Sequence, residues 1–304
     1  MTGCTNGHGV TLDTLGIRFV LIHFHIFKNA GTTIEWILRR EFPEGFLALD
    51  SSDPAAVLGT EHLRHSLLKN PQVRAVSSHQ LRYPTGDVPG TVLFDCCLLR
   101  HPLDRLQSLY EYFRRSEEDH WFAGLARRET AAGFMRELVE SAPHFVSNVQ
   151  TLYLSTSGAF TRPAGVWDLE KACNIVRRMS FPGTVERFDE SLAAAEYYLH
   201  PAFPELRLDY VKQNVSPAKE SSRHGVRRER LIRLWGSEIH RQLTRLNEYD
   251  LKLFELATSE IRRRTSLVPR FKERLEDFRR RCAVLRTKEK EGVGQQLSPA
   301  ALLR

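Results

Sequence analysis

Apolar residues run almost unbroken from Phe19 to Phe27 in "FVLIHFHIFKNAGTTIEWIL", stop at Lys28-Asn29-Ala30-Gly31, and resume with Ile34, Trp36, Ile37 and Leu38. The first run predicts a strand over 18–26, and the spacing after the break predicts a helix over 32–41. "PAAVLGTEHLRHSLLKN" reads as helical, and "VRAVSSHQ" as a short strand ending at His79. The Pro/Gly-rich loop "LRYPTGDVPG" leads into "TVLFDCCLLR", a continuous apolar run that suits a strand covered on both faces. Pro102 then opens a helix in which Leu103, Leu106, Tyr110 and Phe113 share a face.

The stretch 114–157 reads as mainly helical, with "APHFVSNVQTLYLS" a distinct segment. A short strand is expected over 183–185, a helix from Asp189, a polar loop "LRLDYVKQNVSPAKESSRHG", and a long helical region over 227–264. Strands alternating with helices predict an α/β fold with a parallel sheet. The organisation expected is a polar leader (1–17), one domain (18–260), and a basic helical tail with a frayed end (261–304).

In the tail, Phe271, Leu275, Phe278, Cys282 and Leu285 form an apolar stripe on a strongly charged helix. It suits a homodimer seam, an anionic-surface contact, or a helix docked on its own domain; fewer than three heptads favour docking.

Composition narrows the function classes. The 304 residues are 41% hydrophobic with mean hydropathy -0.37, as in globular proteins, and hold no run of about 18 apolar residues that would cross a bilayer. Cys4, Cys96, Cys97, Cys173 and Cys282 make no CxxC or Cys/His ligand set, and the adjacent pair in an apolar run reads as reduced thiols. The N-terminal residues show no secretory pattern, so the location expected is cytoplasmic. The net charge of +7 is local: residues 261–290 carry 12 Lys+Arg against 4 Asp+Glu, leaving 32 and 33 elsewhere. A nucleic-acid module using the tail would need aromatic and basic residues interleaved, and these are missing.

A strand passing through a short loop into a helix presents unpaired N–H groups at the helix's positive end, which is an anion site. Here Gly31 permits close approach, Lys28 adds a point charge, and Thr32 and Thr33 add hydroxyls; Gly-Thr before a helix also makes an ordinary cap. The GxxxxGK[ST] motif of P-loop nucleoside triphosphatases is not met, because the lysine precedes the glycine and no acidic metal dyad follows. A second anion cluster pairs Arg100 at a strand end with Ser108 two turns into the next helix. Ligands bind at the carboxyl ends of strands in such sheets.

On these motifs the chain resembles sulfotransferases that use 3′-phosphoadenosine 5′-phosphosulfate (PAPS). "HIFKNAGTT" is similar to their 5′-phosphosulfate loop, HIPKTGGTT, and "LLRHPLDRLQSLYEYF" to their 3′-phosphate motif, RDPxxRxxSxY. The branch resembled includes heparan sulfate 2-O-, chondroitin and dermatan sulfotransferases and bacterial relatives, with weaker echoes in "NVQTLYL", "GTVERFDESL" and "LNEYDLKLFELA". The resemblance implies a P-loop-like three-layer fold, with the central parallel sheet flanked by helices and a C-terminal helical extension. It implies PAPS as co-substrate without a metal, and a hydroxyl acceptor, on a carbohydrate. It gives Lys28 the bridging oxygen and sulfuryl group, the loop Asn29, Ala30, Gly31, Thr32 and Thr33 the 5′-phosphate, and Arg100 with Ser108 the 3′-phosphate. Phe27, Asn29, Ala30 and His101 depart from the family pattern, the last by losing an aspartate.

The reaction also needs a base for the acceptor hydroxyl, and a histidine, ordinarily titrating at about 6.5, suits it. His79 is the candidate, from its place at a strand end and from the family's histidine in that segment; a turn-bonding role is the alternative. His23 and His25 share a strand face at a metal-binding spacing, but the sequence offers no third ligand, so a structural role is expected. Glu186 and Arg187 are given supporting roles, and "VKQNVSPAKESSRHG" is a candidate lid whose Lys212 or Lys219 meets substrate, or a plain surface loop. The rival enzyme reading is a nucleotide-dependent phosphotransferase, and an inactive relative is a third alternative.

Overall fold

The computed structural model describes residues 17–158, 160, 162–213 and 224–291. Its first part runs β1 (Arg18–Phe24), α1 (Gly31–Glu41), β2 (Phe46–Ala48), α2 (Thr60–Lys69), β3 (Ala75–Ser78), β4 (Thr91–Leu99) and α3 (Pro102–Arg115). Then come α4 (Trp121–Arg128), α5 (Ala131–Ser141), α6 (Val149–Ser155), α7 (Val166–Arg178), β5 (Phe181–Thr184) and α8 (Phe188–Leu199). The chain closes with α9 (His224–Trp235), α10 (Ser237–Leu246), α11 (Glu248–Leu267) and α12 (Phe271–Glu291).

The five strands form one parallel sheet in the order β2-β3-β1-β4-β5. Helices cover both faces, so the α/β class and parallel sheet expected from the strand patterns are what the chain adopts. Alternation along β1 sends Val20, Ile22 and Phe24 to one face, against Leu63 and Leu67 of α2, Tyr153 of α6, Val176 of α7 and Leu253 of α11. Leu21 faces the other side, with Ile34 and Ile37 of α1, Leu192 of α8 and Phe278 of α12. Burial on both sides is why β1 and β4 read as unbroken apolar runs. A third cluster joins α3, α4 and α5 to α9 and α10 around Leu106, Phe134 and Trp235.

Several boundaries differ from the sequence expectation for local reasons. The region 227–264 is three helices rather than one, broken at Gly236, which has φ 81°, and at Asn247, whose side-chain amide donates to the carbonyls of Val146 and Leu243. The helix expected from Pro54 begins only at Thr60, after Gly59. The three-residue strand β2 is too short for a period to register. Strand β5 begins two residues before the expected span of 183–185 and ends one residue short of its end.

The tail is continuous with the body. A division at 260/261 falls inside α11, where Ile261 is buried. The stripe on α12 is spent on its own chain: Phe278 and Cys282 are buried in the cluster with Leu21 and Leu192, and Phe271 and Leu275 pack against it. Much of the helix's charge is also paired, Arg281 with Glu196 and Asp209 and Arg279 with Asp189. The polar leader and the frayed end lie, apart from a few residues, outside the described residues.

Phe278→Ala should therefore cost about 3–5 kcal/mol in urea unfolding, as a fully buried aromatic does, whereas Leu267→Ala, at an exposed position, should stay within about 0.5 kcal/mol. Equal small effects would mean that α12 is not part of the cooperative core.

Candidate active site

Beyond β1 the chain makes a tight bend in which Lys28 and Ala30 both take left-handed backbone angles, φ 68° and 62°. For a residue with a Cβ that conformation costs about 1–2 kcal/mol, so the surroundings must enforce it. Asn29 does much of the enforcing. Its side-chain amide donates to the Leu98 carbonyl (2.8 Å) and to Gln150 Oε1 (2.8 Å), and its own backbone N–H closes the turn onto Ile26. The donors of Asn29 are thus spent inside the protein. Among the described residues, the amides of Ala30, Gly31 and Thr32 have no acceptor, and they sit at the positive end of α1. Thr32 is exposed beside them, while Thr33 is buried and accepts from the Gln213 amide (3.4 Å).

Gly31 is required by packing. A Cβ there would stand 1.8 Å from His25 Nε2, so the absent side chain leaves room for that imidazole. The Ala30 position, with its positive φ, is where the resembled motif has glycine.

The second cluster meets the first. Because β1 and β4 pair directly, Phe24 against Cys97, their tips emerge side by side. Arg100 donates through its guanidinium to the Lys28 carbonyl (3.0 Å). Gln150 grips both backbone groups of Arg100, accepting from its N–H (2.9 Å) and donating to its carbonyl (2.8 Å), and is itself held by buried Asp250. The Lys28 ammonium lies over the Tyr112 ring, 4.2 Å from its centroid. Burial, with Arg100 and Arg115 nearby, lowers its pKa from 10.5 to about 8. Burial also lowers that of Arg100. Two crowded, partly desolvated cations beside these amides form a place suited to an anion.

Ser108 is half-exposed on α3. Arg105, the second arginine of that motif, points inward instead and donates to the Phe145 carbonyl. Beside His101, which stands where the resembled motif has aspartate, Glu186 accepts from the His101 N–H (2.9 Å). Burial raises the Glu186 pKa, and its Oε2 has no partner among the described residues. Arg187 pairs with Glu190. Arg227 and Arg230, which no sequence motif singles out, pair with Asp104 in the first turn of α3. Lys219 and most of the candidate lid lie outside the described residues.

On the other side of the bend stands a chain of imidazoles and carboxylates. The His25 and His79 rings are 3.7 Å apart, His25 Nδ1 is 2.9 Å from Glu35 Oε1, and His79 Nδ1 is 2.9 Å from Asp50 Oδ2. Ser77 donates to Glu35 (2.8 Å), and His23 bonds Ser77 (2.9 Å). Burial lowers the pKa values of His23 and His25, keeping them neutral. Burial opposes the charge on Glu35, but the bonds from His25 and Ser77 outweigh it and lower its pKa to about 2. A neutral His25 donating Nδ1–H to an ionised Glu35 fits both directions.

Ligand atoms of His25, Glu35 and His79 lie within 4.8 Å of one another, so the partners of His25 are not those its strand spacing suggested. The Nδ1 atom of each ring is engaged by a carboxylate, and the rings lie against each other at an inclination of 32°. The group consists of two hydrogen-bonded histidine–carboxylate pairs in ring contact. His79 is its exposed end, its side chain 41% accessible, whereas His25 is buried.

No family model matches the chain. An uncharacterized protein of Archaeoglobus fulgidus is 26% identical over 245 residues, covering 78% of this chain and 95% of that one. Among solved structures, mouse sulfotransferase SULT7A1 complexed with PAP is similar over 80% of this chain and 89% of its own, at 16% identity and a TM-score of 0.40. A likeness that distant carries no argument about the site. No helix among the described residues is long and apolar enough to cross a membrane.

Gly31→Ala should destabilise the protein by about 1–3 kcal/mol, the usual cost of overpacking, because the His25 ring must move. Gly59→Ala, whose Cβ would meet open space, is the control in the same thermal melts. Indistinguishable melting of the two variants would remove His25 from the wall of the bend.

Proposed function

We propose that the protein is a PAPS-dependent sulfotransferase that moves a sulfuryl group to an acceptor hydroxyl. The observation that carries the reading is the 3.0 Å bond from Arg100 to the Lys28 carbonyl, which joins two anion-seeking strand tips into one site. A ligand with phosphates at both ends of an adenosine suits that pairing better than a single phosphate does. In this reading the amides of Ala30, Gly31 and Thr32, with the Thr32 hydroxyl, hold the 5′-phosphate, and Arg100 with Ser108 holds the 3′-phosphate. Asn29 and Thr33 shape the loop rather than touch the ligand.

The chemistry is in-line displacement at sulfur. The acceptor oxygen forms a new S–O bond as the bond from sulfur to the 5′-phosphate oxygen breaks, and the electron pair leaves on the phosphate. Lys28 meets the charge that grows on that oxygen. The acceptor proton passes to His79. Positioning and electrostatics supply most of the acceleration, as in phosphoryl transfer.

The carbohydrate nature of the acceptor rests on the resemblance alone. A reducing, cytoplasmic setting is supported by the buried free thiols of Cys96 and Cys97. The nucleic-acid alternative is weakened by the ion pairs that occupy much of the tail's charge.

Adenosine 3′,5′-bisphosphate should bind in calorimetric titration, and Lys28→Ala or Arg100→Ala should each weaken it about tenfold or more, the worth of one charge-assisted contact. Absence of wild-type binding, or tighter binding of ATP, would refute the assignment.

The pH dependence follows from Lys28. Free Lys28 loses its proton near pH 8 and bound phosphate retains it, so affinity should be level from about pH 7, where the phosphates are ionised, to about pH 8 and fall as pH rises further, with proton uptake on binding. The slope should vanish in Lys28→Ala. His79→Ala should retain bisphosphate affinity and lose transfer; near-normal transfer would exclude it as the base.

A further inference from the structure

Asp50 belongs to no motif, yet its surroundings are built around its carboxylate. Strand β2 pairs with β3 up to Ala48 opposite Ser77, and the Leu49 amide extends the ladder by donating to the Ser77 carbonyl (2.9 Å). That register places Asp50 beside the end of β3. Its Oδ1 accepts from the His79 backbone N–H (2.8 Å) and from Ser78 Oγ (3.0 Å), and its Oδ2 meets His79 Nδ1 (2.9 Å). The following loop is held in place by Gln80, which accepts from the Ser51 amide and donates to the Asp53 carbonyl. One carboxylate therefore fixes both the main chain and the ring of His79.

Such bonding selects a tautomer. An ionised carboxylate can only accept, so Nδ1 must carry the proton and Nε2 keeps its lone pair. Burial disfavours the charge on Asp50, but the bonds from His79 and Ser78 outweigh it and keep its pKa below the ordinary value. The opposite face of the ring rests on His25, itself locked by Glu35 and by the space at Gly31.

We propose that Asp50 is the positioning residue of the base: it holds His79 as the Nδ1–H tautomer, so that Nε2 takes the acceptor's proton and the carboxylate faces the imidazolium that results. The proposal rests on the sulfotransferase reading, and its test separates the two.

Long-range ¹H–¹⁵N spectra of the full chain, labelled at histidine and held where the ring is neutral, should show His79 protonated on Nδ1 in wild type and redistributed in Asp50→Asn. A wild-type ring protonated on Nε2 overturns the proposal whether or not the protein is a sulfotransferase. With PAPS and water as the acceptor, sulfate release by Asp50→Asn should fall about 10²–10⁴-fold, with KM for PAPS and bisphosphate affinity within twofold of wild type. Asp50→Glu should recover part of the rate.

Unchanged sulfate release in Asp50→Asn overturns the proposal, as does a parallel loss of bisphosphate affinity and melting temperature, which would mark Asp50 as a fold anchor only. Failure of wild type to bind the bisphosphate refutes the function instead, and the tautomer result still stands or falls separately.

Discussion

Direct pairing of β1 with β4 is the constraint on which the candidate site depends. Each strand ends in a positively charged element, and the parallel register brings both ends out on the same side of the sheet. Left alone, Lys28 and Arg100 would repel each other. They are held together because the guanidinium bonds a carbonyl of the bend and because Asn29 and Gln150 fasten loop and strand tip to a common polar bracket. Buried Asp250 underlies that bracket, accepting from the first amides of α6. Polar groups buried this far are costly unless paired, and the Gln150 side chain is paired at both ends, whereas Asn29 Oδ1 has no partner among the described residues.

The site is organised at the expense of local comfort. Left-handed angles at Lys28 and Ala30, partial desolvation of two cations, and a buried unpaired oxygen on Glu186 all disfavour the fold as it stands. A bound dianion would neutralise the crowding between Lys28 and Arg100. Two of the four described non-glycine residues with left-handed angles lie in this bend beside two desolvated cations, a coincidence that suits a binding site for a charged ligand.

The parts of this arrangement that a sequence can carry are the local ones. The strand, the lysine-glycine bend, the helix that follows and the arginine at the end of an apolar run are each encoded within a dozen neighbouring residues, so periodicity and turn chemistry expose them. The partners of those residues are not local. Asp50 reaches His79 across 29 positions, Gln150 reaches Arg100 across 50, and Arg227 reaches Asp104 across 123. Sheet order brings the first pair together and helix packing the other two, and short β2, which sets Asp50 in place, has too few residues for a pattern. The role of Gly31 was half legible: a glycine at the bend was clear, but the His25 ring that fills its place required the fold. Likewise the charge on α12 was plain, while its pairing with Glu196, Asp209 and Asp189 depended on where the helix docks.

The same geometry couples the two halves of the site. The His25 ring touches the space over Gly31 on one side and the His79 ring on the other, so any movement of the bend must displace a ring that lies against His79. Glu35, which holds His25, stands on α1 only one turn beyond the free amides of that helix's first residues. The imidazole of His25 is thus a wall common to the bend and to His79. The wall is made of neutral imidazoles rather than aliphatic side chains, since only a ring with a polar edge can stack on His79 and be anchored by a carboxylate at once.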